Sequence, residues 1–215
     1  MGYKILCRLG YVFVTRLEEL CFSLTVGFGT LIMVVLVLGL SHLLYHWVIY
    51  TLVAVGAIVS FSEIKYWRSL FTSAVDQTRN LRSSARSFYF WLILLAAIGM
   101  GFGLLRALAP PHGATDPIAY QLALPKIFLA KHFLSFEPTI TGALYPTNMG
   151  LLYIIGMGLH NGILAQLLHW LMGAMCLLAV VGFSQRYLTW QIGVWAATIF
   201  SFVPIMVVFG PQGYV

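Results

Sequence analysis

The chain has 215 residues, 60% of them hydrophobic and 8% charged, with a formal net charge of +6. Soluble domains carry about 25% charged residues, so this composition and a mean hydropathy of +0.91 exclude an ordinary soluble fold. Apolar runs of about 20 residues, with no alternating barrel strands in view, predict an all-α, polytopic transmembrane helical bundle. The positive balance gives no case for nucleic acid, since basic residues at the ends of apolar runs set membrane topology.

Residues 1–21 mix Lys4, Arg8 and Arg16 with Ile5, Leu9, Val12, Phe13, Leu17 and Leu20. Two readings fit: a helix lying on the cytoplasmic membrane surface, or a frayed basic leader. The apolar run from residue 22 is too long for a signal-peptide core and lacks a cleavage site before the next run. Leu6 stands where a myristoylation signal wants Ser or Thr. Spans are expected at 22–41 and 46–62, joined by Ser41–Tyr45, and a basic loop at 63–87. A third span at 88–105 carries Gly99 and Gly103 at the spacing that lets helices approach closely, within the chain or between chains. A long loop, 106–147, follows. Its length predicts local structure, read as short amphipathic helices over 116–134 with Ile118, Leu122, Leu129 and Phe133 facing lipid or the bundle. Residues 148–160 are apolar but too short to cross, hence juxtamembrane or re-entrant. Spans at 163–183 and 190–209 complete the order, with Pro204 expected to kink the last. Cys7, Cys21 and Cys176 have no metal or redox spacing.

Nine basic residues (Lys4, Arg8, Arg16, Lys65, Arg68, Arg79, Arg82, Arg86 and Arg186) fall on one side of this topology and three (Arg106, Lys126 and Lys131) on the other. The positive-inside rule therefore places the N-terminus in the cytoplasm and 106–147 outside the plasma (inner) membrane.

Of six acidic residues, only Asp116 and Glu137 fall on the outer side. Asp116-Pro117 suits a helix start, with Asp capping exposed amides and Pro in the first turn. The same carboxylate suits a general base, and capping does not exclude that role. A helix here puts Tyr120 one turn from Asp116. A departing phosphate needs cations. Lys126 stands within the patterned segment, while Arg106 and Lys131 serve equally as headgroup anchors. Gln121 faces sugar hydroxyls or water. Glu137 reads as a solvated charge, and His112 and His132 as interfacial polar groups without the ligand pairs of a metal site.

Residues 88–215 resemble the GT-C superfamily of integral membrane glycosyltransferases, which includes lipid A aminoarabinose transferase and protein O-mannosyltransferases. The likeness lies in a span, an outer loop opening on Asp116, juxtamembrane helices and two closely joined spans. Asp116, Tyr120, Leu122, Ala123, Pro125 and Lys126 match the loop pattern, and Gln121 stands where His is common. The likeness extends to Ala165–Trp170, Gln185–Leu188, Pro204 and Gly213–Val215. It implies Asp116 as catalytic base, with Tyr120, Gln121, Lys126, Arg106 and Lys131 binding substrate. The donor it implies is a polyprenyl-phosphate sugar, and the acceptor a lipid, glycan or protein of the cell envelope. No cofactor is implied, and a divalent metal is compatible but not indicated. In the family a second acidic residue comes early in the next outer loop, which on this reading follows Val215. The chain is thus expected to be an N-terminal portion, with 22–62 as two extra spans. The competing expectation is a non-enzymatic accessory or assembly protein whose loop binds membrane lipids.

Overall fold

The computed structural model describes residues 1–61, 88–111, 117–140, 148–204 and 206–207. The basic loop expected at 63–87, Asp116 and His112 lie outside the described residues. The all-α expectation holds, with no strand among the described residues. The helices are α1 (Gly2–Arg8), α2 (Arg16–Leu40), α3 (His46–Phe61), α4 (Phe88–Ala107), α5 (Ala123–Lys131), α6 (Asn148–Leu159), α7 (Gly162–Tyr187) and α8 (Trp190–Phe202). A π-helical turn, Pro117–Gln121, precedes α5.

Among the described residues, three helices, α2, α4 and α7, are long and apolar enough to cross a membrane. At 1.5 Å per residue their 25, 20 and 26 residues reach about 30–39 Å, against a hydrocarbon core of about 30 Å. Helices α3 and α8, of 16 and 13 residues, reach only about 20–24 Å.

Two boundaries differ from the sequence expectation for local reasons. The first long helix begins at Arg16, not at residue 22, and 1–21 is not one interfacial helix. Thr15 accepts from Glu18 N at 3.1 Å, while Glu18 Oε2 accepts from Val14 N at 3.0 Å. Thr15 thus caps the helix, and Glu18 three residues on reaches back to the amide just before the cap, close to the Thr-x-x-Glu pattern that marks a helix start. At the other end, the regular helix α8 stops at Phe202, with helical geometry again at Pro204 and 206–207 beyond the break, while 205 and 208–209 lie outside the described residues. Val203, at φ −58° and ψ 129°, takes the extended conformation that a following proline imposes.

The packing gathers around α6, a 12-residue helix with Gly150–Gly156 and Gly158 buried. Residues α2, α3, α5 and α7 all contribute to its surroundings. Leu151, Leu152, Ile154 and Ile155 join Val35, Leu44, Ile49, Leu124 and Phe128 in one apolar cluster. The segment too short to cross is therefore the centre of the fold. It meets α7 through Gly156, where a Cβ would lie 2.8 Å from Ala165 N. Gly99 serves packing within the chain: a Cβ there would lie 3.3 Å from Ser201 O. Interhelical hydrogen bonds of the kind that hold membrane helices run from Trp170 Nε1 to Met100 O (3.1 Å) and from Thr198 Oγ1 to Leu92 O (3.2 Å).

Contacts sort the helix ends into two groups. At the first end, Arg186 pairs with Glu18, Tyr89 packs on Trp190 and Lys4 Nζ donates to Val59 O. At the second, Leu134 N donates to Gly39 O and Leu44 N to His132 O, each at 3.1 Å. His46 Nδ1–H donates to Gly158 O at 2.9 Å. Lys4, Arg8, Arg16 and Arg186 thus belong to the first end, and Arg106, Lys126 and Lys131 to the second.

Candidate functional site at the second end of the bundle

The outer-loop residues singled out in the sequence come together unevenly. Arg106 is exposed in the last turn of α4. The chain then turns, with Ala109 N donating to Arg106 O at 3.1 Å, and reaches Pro111. A Cβ at Gly162, the first residue of α7, would lie 3.0 Å from Pro111 Cγ and 3.7 Å from Leu122 Cδ1. The chain on both sides of 112–116 therefore returns to the same point, the start of α7. Asn161 caps that helix, its side chain accepting from Ile163 N and Leu164 N at 3.0 and 3.3 Å.

Pro117–Gln121 forms a π-turn rather than the α-helical start read from the sequence, and α5 begins only after Leu122. Pro125 fits the third position of α5, because a helix's first amides have no intrahelical acceptor to lose. Tyr120 is half-buried against the central apolar cluster. Gln121 is 6% exposed, and its carbonyl Oε1 has no hydrogen-bond partner among the described residues. A buried acceptor left unsatisfied costs about 1–3 kcal/mol, so its retention needs an explanation, and a bound hydroxyl or amide donor supplies one.

On α5, Leu124, Pro125, Phe128 and Leu129 are buried, while Lys126 and Lys131 are exposed. The pairs Leu124/Phe128 and Pro125/Leu129, each four residues apart, form the inner face. Leu122 and Leu129 thus face the bundle, and Phe133 stacks on His42 at 4.6 Å; the side chain of Ile118 lies outside the described residues. Lys131 pairs with Glu137, which also accepts from Ser135. Those contacts hold the Glu137 carboxyl below the usual range, the lysine contact foremost. Glu137 is therefore an engaged partner and not a free solvated charge. His132 takes a left-handed conformation (φ 64°), stacks on Tyr45 at 4.0 Å and donates from Nδ1 to Leu44 O at 3.3 Å. The loop is thereby laced to the α2–α3 turn. Among the described residues, no three His, Cys, Asp or Glu side chains come together to hold a metal.

Sequence reasoning passed over the polar groups inside the helices. His169 shares a 2.7 Å hydrogen bond between its Nδ1 and Tyr153 Oη, and Tyr153 is fully buried. Gln166, one turn before His169 on α7, is 3% exposed, and its Oε1 has no partner among the described residues. Tyr153, Leu122 and Ala165 form one small cluster, so this pair lies directly beneath the turn that carries Gln121. The available signal was a His and a Gln three residues apart in an apolar run, since polar side chains in spans mark function by default.

The class this architecture defines is an α-helical protein with three helices able, by length and composition, to span a membrane. The chain matches no protein-family model, no curated protein and no solved structure. Its functional reading therefore rests on its own residues.

Proposed function

We propose that the chain is part of a membrane glycosyltransferase of GT-C type, moving a sugar from a polyprenyl-phosphate donor to a cell-envelope acceptor on the outer face. The observation that carries this reading is the convergence at the start of α7. Pro111 and Leu122 approach Gly162 from either side of the segment bearing Asp116, and Gln121 beside them keeps a buried acceptor unsatisfied. In this reading Asp116 takes the proton of the acceptor hydroxyl as the anomeric carbon is attacked. Lys126 and Arg106 hold the departing phosphate, and Gln121 and Tyr120 contact the sugar. Lys131 contributes less, because Glu137 already engages it.

The same proposal makes the first end cytoplasmic and the second end external, in the plasma (inner) membrane. The grouping of Lys4, Arg8, Arg16 and Arg186 supports that orientation through the positive-inside rule. Helices α2, α3, α4, α7 and α8 cross, the two short ones by locally thinning the bilayer, while α6 stays enclosed. A second reading, a non-enzymatic accessory protein with a headgroup-binding loop, is favoured by the exposure of Arg106, Lys126 and Lys131.

Asp116→Asn separates the two. Asn caps helices about as well as Asp but cannot accept the proton. Release of polyprenyl phosphate from polyprenyl-phosphate sugars, measured in membranes carrying the full-length protein, is expected to fall at least about a hundredfold with insertion unchanged. Undiminished release removes Asp116 from the mechanism; no release from the wild type favours the accessory reading.

A further inference from the structure

Gly162, Gln166 and His169 follow one another at steps of four and three residues, which places them one above the other on a single face of α7. At the top of that face a Cβ on Gly162 would lie 3.0 Å from Pro111 Cγ and 3.7 Å from Leu122 Cδ1. Gln166 is therefore one turn beneath the point where the chain returns to α7. Its neighbour Ala165 belongs to one cluster with Leu122 and Tyr153, and Tyr153 Oη shares a 2.7 Å hydrogen bond with His169 Nδ1. Gln121 reaches the same cluster from the π-turn, one residue before Leu122. Two glutamines, 6% and 3% exposed, thus flank one cluster. Among the described residues neither side-chain carbonyl has a hydrogen-bond partner, and neither oxygen is open to solvent. The side chains that make up the cluster and pack on it, Leu122, Tyr153, Ala165, Met149 and Met157, carry no charge.

We propose, resting on the glycosyltransferase reading, that Gln166 is a further specificity-determining residue, accepting alongside Gln121 from hydroxyls of the donor lipid's sugar. A carbonyl oxygen accepts and calls for an O–H or N–H donor, so these two atoms suit hydroxyls and repel phosphate oxygens. The uncharged surroundings leave the phosphate to the exposed cations Arg106 and Lys126. Apolar walls with a few placed polar groups are the usual make-up of a small-molecule site, and they match the C–H faces and hydroxyls of a sugar ring. Since neither oxygen is open to solvent, bulk water does not supply the missing partner. The sugar enters by displacing the 117–122 turn from α7, and the hydrogen bonds it brings offset that separation. Buried groups built to bond a hydroxyl discriminate strongly against a ligand without one, because they are then left unpaired.

The test is equilibrium binding to the whole chain in phosphatidylcholine nanodiscs, with undecaprenyl phosphate, undecaprenyl-phosphate glucose and undecaprenyl-phosphate mannose as probes. Wild type is expected to hold at least one sugar lipid at least about tenfold more tightly than undecaprenyl phosphate, as fits one or two hydroxyl contacts. Gln166→Met keeps the length of the side chain and removes the carbonyl. It should cut the sugar's advantage to about threefold or less, while undecaprenyl phosphate binds as before. Loss of an unsatisfied buried acceptor should also raise the melting temperature of the ligand-free protein, which replacing a merely structural glutamine would not do. A Gln166→Met protein that keeps the sugar's advantage, melts below wild type or fails to fold overturns the proposal and leaves the glycosyltransferase reading standing. Equal binding of all three lipids by wild type has the same consequence. Binding of none of them overturns both.

Discussion

Gly156→Ala perturbs a close backbone approach between α6 and α7. The new Cβ would lie 2.8 Å from Ala165 N and 2.9 Å from Ala165 Cα, about 0.6 Å inside the ~3.5 Å at which carbon atoms ordinarily meet. Both are backbone atoms of Ala165 in the first turn of α7, so no side chain can rotate away. The helices must separate, and overpacking of this kind costs about 1–3 kcal/mol. Gly101→Ala is the matched control, since its Cβ meets nothing within 4 Å. Any gain in helix propensity, up to about 1 kcal/mol, is common to both and cancels in the comparison. Reversible unfolding in mixed bicelles, titrated with denaturing detergent, should therefore show Gly156→Ala less stable than Gly101→Ala by about 1–3 kcal/mol. Equal stabilities would mean that α6 is not clamped against α7, and that the Tyr153–His169 hydrogen bond across this junction is not held as described.

The remaining predictions concern the two ends. A Cys at position 135 should react with an impermeant maleimide from outside the cell and one at position 84 should not; the reverse pattern overturns the orientation. Lys126→Ala should weaken donor binding by roughly ten- to a hundredfold, as befits loss of a charge-assisted contact, and Lys131→Ala by much less because Glu137 already engages Lys131; equal small effects would reduce both lysines to headgroup anchors. Glu137 has its folded-state pKa lowered from 4.5 by Lys131 and Ser135. Its contribution is therefore complete above that value and is lost as pH falls through the folded-state pKa. Protection factors of the 131–137 amides, corrected for the intrinsic pH dependence of exchange, should fall on acidification in the wild type, and Glu137→Gln should show lower protection at neutral pH with a flatter acid limb. A wild-type profile with no acid limb would show that the pair does not order the loop.

The character of the helices was legible in the chain itself. Apolar runs long enough to cross a bilayer need no partner to be recognised, because the bilayer imposes length and composition on each helix separately. Charge asymmetry at their ends is likewise a local property, and it predicted which basic residues belong together. Some boundaries were legible too, had they been weighed: Thr15–Glu18 is a complete capping signal, and Val203 before Pro204 marks where α8 must stop. The amphipathic character of α5 could be read from the spacing of Leu124, Phe128 and Leu129.

Only the tertiary structure decided what the interior is for. Residues 148–160 read as a short juxtamembrane or re-entrant stretch, yet they form the centre of the fold, because α2, α3, α5 and α7 pack around them. The engagement of Lys131 by Glu137 and the lacing of His132 to Leu44 depend on where the chain turns back, as do Tyr153 against His169 and the unpartnered acceptors of Gln121 and Gln166. Such contacts join residues up to 88 positions apart. Composition and periodicity describe each helix against its solvent; they carry no record of which helix faces which, and a polar group's role is set by that neighbour.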